Sequence, residues 1–110
     1  MTPERFLHKS EQATADLGDL VDHYLRNAGP ATALRFIDQA ERAFAQLLAM
    51  PKVGALLGLD ELPYEDIRRW HVDGFPHLIS LYREVADGVE IIRVLHTSRD
   101  IPALFRETGA

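Results

Sequence analysis

The spacing of apolar residues changes once along this chain, and that change limits the fold more than any other feature. Up to about residue 50, apolar side chains recur every three to four positions, as on one face of an α-helix. From residue 67 to residue 96, β-rich runs are separated by short breaks that contain glycine. A chain of 110 residues has room for one core, so the two halves must pack on each other. The sequence therefore predicts a single α+β domain over residues 1–110.

Two amphipathic helices are predicted in the first half. Ser10 is placed to cap the first helix, whose apolar stripe consists of Leu17, Leu20, Val21, Tyr24 and Leu25. The segment Asn27-Ala28-Gly29-Pro30 ends it, because glycine suits a helix C-terminus and proline opens the next helix. The second helix is predicted over residues 30–49. So short a connection predicts an antiparallel helical hairpin.

The strands are predicted from composition and alternation. Residues 5–9 are interpreted as a short strand, and residues 51–63, punctuated by glycine and proline, as a connection. Three further strands, at 67–72, 77–85 and 89–96, predict an antiparallel meander. Residues 101–106 fit either a helical turn or a strand extension. The predicted order is β-α-α-β-β-β, with the helical hairpin packed on a small antiparallel sheet.

Strict alternation assigns faces within this sheet. It places Ile79, Leu81 and Arg83 on one face of the middle strand. It places Ile91, Arg93 and Leu95 on one face of the last strand. Neither strand has a fully polar face, so both faces of the sheet are expected to be partly covered. One helical hairpin can cover only one of them.

Composition excludes several classes of protein. Twelve basic and seventeen acidic side chains give a net charge of −5, which argues against binding nucleic acid by charge alone. The absence of cysteine excludes disulfides, a thiol nucleophile and thiolate zinc sites. No phosphate-binding glycine motif and no metal-ligand spacing of histidines occurs, so no cofactor or metal is expected. Without a membrane-spanning run or a signal peptide, we expect a cytoplasmic protein.

The only concentrated set of cations lies in the second half, where arginine is present after position 66 and lysine is not. The set comprises Arg68, Arg69, Arg83, Arg93, His96 and Arg99. Arginine binds phosphates or a partner's carboxylates through paired hydrogen bonds, which predicts a contact surface. The alternative is a set of solvated strand arginines paired with nearby acids, namely Glu84, Asp87, Glu90 and Asp100.

A catalytic hypothesis centres on His96. His96 would act as general acid and base, and Arg99 would stabilise a phosphorane-like transition state, with Arg83 as a further candidate. In the structural alternative, Asp100 caps a turn and Arg99 pairs with it. One histidine without a second acid–base group favours the structural alternative.

Two runs of the second half resemble the C-terminal signature of the RelE/ParE toxin superfamily, and the ParE branch more closely. They are Phe75-Pro76-His77-Leu78-Ile79-Ser80-Leu81-Tyr82-Arg83 and Gly88-Val89-Glu90-Ile91-Ile92-Arg93-Val94-Leu95-His96-Thr97-Ser98-Arg99-Asp100-Ile101. Residues 10–20 resemble the first helix of that family. The resemblance implies the β-α-α-β-β-β fold and a growth-inhibiting toxin of a type II toxin–antitoxin module.

The same resemblance implies the partners. ParE-like toxins inhibit DNA gyrase by protein contact, whereas RelE-like toxins cut mRNA on the ribosome. The acidic balance and the presence of only two lysines favour the ParE-like function. A ribosome-dependent endoribonuclease and an inactive relative retained for antitoxin binding remain alternatives.

The implied antitoxin is ParD-like or another small DNA-binding protein, and the two chains would form a hetero-oligomer. Neither a membrane nor direct DNA binding is expected of the toxin alone. The six cationic residues are expected to contact a partner, and the antitoxin is expected to cover the second face of the sheet.

Overall fold

Helices and strands follow the predicted order in the computed structural model, which describes residues 4–59 and 63–108. The elements are β1 (Phe6–Lys9), α1 (Glu11–Asn27), α2 (Pro30–Ala49), β2 (Ala55–Leu56), β3 (Arg68–Val72), β4 (Phe75–Val85), β5 (Gly88–His96) and α3 (Ile101–Thr108). The strands form one sheet in the order β1-β5-β4-β3-β2. The α+β class and the helical hairpin on an antiparallel meander are confirmed. The edge strand β1 adds a parallel pairing with β5.

The ends of the helices obey local capping rules. The Ser10 side chain accepts a hydrogen bond of 2.9 Å from the Ala13 N–H at the start of α1. Gly29 adopts a positive φ of 93° between the helices, and Pro30 is the first residue of α2. Both predicted boundaries are therefore confirmed. In the described parts of the chain, no helix is long and apolar enough to cross a membrane.

The larger core lies between the helical hairpin and one face of the sheet. From α2, Phe36, Phe44 and Leu47 are buried against Tyr82 of β4 and its neighbours on β5. The rings of Tyr24, Phe36 and Phe75 meet pairwise at 5.2–5.4 Å between centroids. These contacts bring the apolar stripes of both helices onto the sheet.

A second core covers the opposite face of the sheet. Its buried members are Ile67, Ile79, Leu81, Leu95, Leu104 and Phe105. Phe105 of α3 packs on Tyr64 of the connection, with 4.9 Å between the ring centroids. The expectation that both faces are covered is confirmed, and the tail at 101–106 is helical. The α3 helix and the connection supply this cover from within the chain, and the expected cover by an antitoxin stays a prediction.

A bulge in β5 corrects the predicted facing of that strand. The pairing with β4 shifts between Leu81 and Tyr82, which leaves Ile92 as an extra residue. Ile91 consequently packs in the larger core, whereas Leu95 packs in the second core. Strict alternation had placed both on one face, and that assignment is wrong. The carbonyl of Ile92 at the bulge accepts a 2.7 Å hydrogen bond from the Ser10 hydroxyl.

The connection at 51–63 also contains structure that alternation does not reveal. Its residues Ala55 and Leu56 form β2, which pairs antiparallel with Arg69 and Arg68 of β3. This two-residue strand holds the connection at the edge of the sheet, next to the first of the predicted cationic side chains.

Candidate partner-binding groove

Arg93 has its partner inside the chain. Its guanidinium donates from Nε and Nη2 to the two carboxylate oxygens of Asp16 on α1, at 2.8 and 3.0 Å. The backbone N–H of Val94 donates to the same carboxylate at 3.0 Å. The hydrogen bond that Arg93 donates to Asp16 raises the pKa of Arg93 above its ordinary value. Arg93 therefore fastens α1 to the bulge of β5.

Arg68 holds the beginning of the connection. It donates from Nη1 to the carbonyl of Gly54 at 2.8 Å and to that of Lys52 at 3.3 Å. The buried N–H of Gly54 donates to the Tyr82 hydroxyl at 2.8 Å. A Cβ at position 54 would collide with the Arg69 carbonyl and that hydroxyl, so only glycine fits there.

Arg83 holds the far end of the connection. It donates from Nη2 to the carbonyl of Pro63 at 2.7 Å and pairs with Asp66 at 3.2 Å. Its Nε is buried without a hydrogen-bond partner in the described part of the molecule. Both interactions keep the connection against β4.

His96 lies exposed at the end of β5, and its ring is held by the following turn. Nδ1 accepts the backbone N–H of Ser98 at 3.1 Å and lies 2.8 Å from the Ser98 hydroxyl. The neutral ring therefore carries its proton on Nε2, and its lone pair is already in use. The ring stacks on His77 at 5.7 Å with an interplanar angle of 11°. Across residues 4–59 and 63–108, no carboxylate is hydrogen-bonded to His96.

Arg69 and Arg99 are brought together at one groove of about 320 Å³. Arg69 projects from β3, and Arg99 lies in the turn between β5 and α3. Four apolar residues and one acid complete the lining: Leu57, Leu59, Ile101, Pro102 and Asp100. The connection, a strand, a turn and the start of α3 thus build the groove jointly.

The groove is cationic. Both arginines are exposed, and neither guanidinium has an ion pair or hydrogen bond to another side chain within the described residues. The Asp100 carboxylate accepts the Ala103 N–H at 3.2 Å and so caps α3. The groove thus holds two guanidinium groups and one carboxylate, a net positive charge beside apolar side chains, which suits an anion attached to an apolar group.

Sequence reasoning missed the apolar wall of this groove. Leu57 and Leu59 lie in the segment that was assigned only as a connection. Three leucines within four residues, at 56, 57 and 59, are more apolar than a solvated loop requires. That local density is the signal that would have identified them.

Comparisons with known proteins bear on both the fold and the family. Residues 7–101 match the family described as the ParE toxin of the type II toxin–antitoxin system, parDE. One similar solved structure is described as a chromosomal ParDE toxin–antitoxin system from P. aeruginosa. The sequences are 21% identical, and the match covers 84% of this chain and 95% of that chain with a TM-score of 0.68. That similarity supports the fold. The search of curated proteins found no match to the sequence.

Proposed function

This chain belongs to the ParE toxin family of type II toxin–antitoxin systems, and from that premise we propose that it arrests growth by binding DNA gyrase. The family match over residues 7–101 carries the proposal. The toxin acts in the cytoplasm, as a protein-binding inhibitor rather than as an enzyme. A cognate antitoxin, ParD-like or another small DNA-binding protein, neutralises it.

The contacts of the cationic residues support action by binding. Ribosomal mRNA cleavage would need an acid–base group and free cations around the scissile phosphate. Of the three candidate residues, His96 has its lone pair engaged by Ser98 and Arg83 is engaged by Asp66. Within the described residues, this leaves Arg99 as the one free cation among the three. The net charge of −5 disfavours approach to the dense phosphates of a ribosome.

The groove supports a protein partner in particular. Arg69 and Arg99 offer forked donors for carboxylates, and the adjacent leucines offer apolar area. Binding surfaces between proteins combine these two kinds of contact. We assign Arg69 and Arg99 as the partner-binding residues, whereas Arg68, Arg83 and Arg93 hold the fold that presents them.

The test is controlled expression of the chain, with and without its cognate antitoxin, in cells that carry a reporter plasmid. We expect growth arrest, rescue by the antitoxin, and relaxed plasmid topoisomers on a chloroquine gel. Arrest with normal supercoiling and toxin-dependent mRNA cuts by primer extension would instead identify the nuclease. Full growth would identify an inactive relative.

A further inference from the structure

We propose that the groove between Arg69 and Arg99 binds an acidic, leucine-containing segment of the neutralising antitoxin. A carboxylate of that segment lies between the two guanidinium groups, and a neighbouring apolar side chain packs on the leucines. This inference rests on the proposed function, and it identifies the groove and the chemistry of the segment that fills it.

The charges provide the first argument. Arg68 donates to two backbone carbonyls, Arg83 pairs with Asp66, and Arg93 pairs with Asp16. Arg69 and Arg99 have no such partner among the described residues, yet they line the same groove. Two neighbouring like charges repel each other, so a bound carboxylate relieves that repulsion as well as accepting hydrogen bonds.

The apolar lining provides the second argument. Leu57, Leu59 and Ile101 are only partly buried where they face the groove. An inorganic anion would use the arginines and leave these side chains in water. A peptide that carries both an acid and an apolar side chain uses both halves of the lining, and burying the apolar half is favourable.

The surroundings of Arg69 provide the third argument. Arg69 also lines a second groove of about 370 Å³, which includes Trp70, His71 and Leu78. β2 pairs only with Arg68 and Arg69, so the rest of β3 has no strand beside it on that side in the described structure. A segment that leaves the first groove therefore meets more apolar surface and an open strand edge. This continuity fits an extended protein segment.

The test measures antitoxin binding to the full-length chain by isothermal titration. The variants are Arg69→Gln, Arg99→Gln and the double variant, and Arg26→Gln is the control. Arg26 is exposed on α1, across the sheet from the groove, and its replacement changes the net charge by the same amount as either single variant. We expect the double variant to bind about 10–100-fold more weakly, as for charged hydrogen bonds. The control should stay within about twofold of wild type.

Overlapping synthetic peptides covering the antitoxin then locate the segment. We expect one acidic, leucine-containing peptide to compete with the antitoxin for wild-type chain, and the double variant not to bind it. Arg69→Lys and Arg99→Lys, which keep the charge but lose the forked donors, should lose part of the affinity.

Two results would overturn the inference. One is an unchanged antitoxin affinity in a double variant that still arrests growth and is still rescued, which leaves the proposed function intact. The other is a single-stranded RNA oligonucleotide that binds wild type and not the double variant while antitoxin affinity is unchanged. Absence of growth arrest by wild type would refute the proposed function instead, and the titration would still decide whether the groove binds the antitoxin.

Discussion

Asp16 of α1 grips Arg93 of β5 through two parallel hydrogen bonds, although 77 positions separate them in the sequence. Each side chain is only 14% exposed, and the carboxylate also accepts the Val94 N–H. Paired and largely sheltered charges of this kind are costly to separate. The interaction joins the helical layer to the bulged strand that leads into the His96–Asp100 turn. It thereby helps to position one side of the Arg69–Arg99 groove.

Replacing Asp16 tests how strongly this pair holds the fold. We expect Asp16→Ala to lower the free energy of unfolding by about 2–3 kcal/mol, because it leaves Arg93 sheltered without its partner. Asp38→Ala removes an exposed ion pair with Arg42 and should cost less than about 0.5 kcal/mol. Urea denaturation measures both values. Equal losses for the two variants would contradict a special role for Asp16.

Replacing Gly88 tests the parallel edge of the sheet. A Cβ at this position would collide with the backbone of Phe6 on β1. Gly88→Ala should therefore separate β1 from β5 and lower the free energy of unfolding by about 2 kcal/mol or more. Gly18→Ala is the matched control on α1, where an added Cβ meets no atom within 4 Å. It should stabilise the chain by about 0.5–1 kcal/mol, as measured by urea denaturation.

The hydroxyl of Tyr82 gives a prediction about pH. Burial raises the pKa of Tyr82, so the folded chain keeps this proton at a pH where the unfolded chain loses it. This contribution to stability is present below the unfolded pKa of 10.0 and is lost as the pH rises above it. Tyr82→Phe should reduce the fall in unfolding free energy between pH 9 and pH 11, measured by urea denaturation at each pH.

Tyr82→Phe should also lower the free energy of unfolding at neutral pH. Tyr82→Phe leaves the buried Gly54 N–H without its acceptor, which should cost about 1–3 kcal/mol. Tyr24→Phe is the control, because the Tyr24 hydroxyl makes no hydrogen bond within the described residues. A Tyr24→Phe loss as large as that of Tyr82→Phe would refute the role given to Gly54.

Two serines should respond in opposite directions. The Ser80 hydroxyl is fully buried in β4 and lacks a hydrogen-bond partner in the described structure. Ser80→Ala should therefore raise the midpoint of thermal unfolding, with a gain of about 1 kcal/mol. Ser10→Ala removes the cap of α1 and should cost about 1 kcal/mol. Destabilisation by Ser80→Ala would show that its hydroxyl has a partner.

Local features of the sequence were enough to predict the helices. Ser10 and the Gly29-Pro30 pair act on backbone within one turn of themselves, so their effect does not depend on the rest of the fold. The meander was likewise predictable, because its strands are joined by short turns. Alternation assigned Ile91 to the wrong face of β5. The bulge inserts one extra residue, and the pattern of apolar residues does not reveal it.

The partners of the arginines depend on the whole fold. Arg83 and Arg93 do form ion pairs, as the structural alternative predicts. Their partners, however, are Asp66 and Asp16 and not the acids expected from the second half of the sequence. Arg68 binds backbone carbonyls, which a count of charges does not include. Arg69 and Arg99 differ from these three arginines, because they have no such partner among the described residues and line the same groove.

Inhibition of purified gyrase by the antitoxin-free chain is the most direct test of the central claim that this toxin binds protein rather than cutting RNA. The assay follows supercoiling of relaxed plasmid, and it compares wild type with His96→Ala. We predict equal inhibition by both, because His96 is held by Ser98 and lies outside the groove lining. Supercoiling that wild type leaves untouched, together with mRNA cleavage that His96→Ala abolishes, would contradict the account.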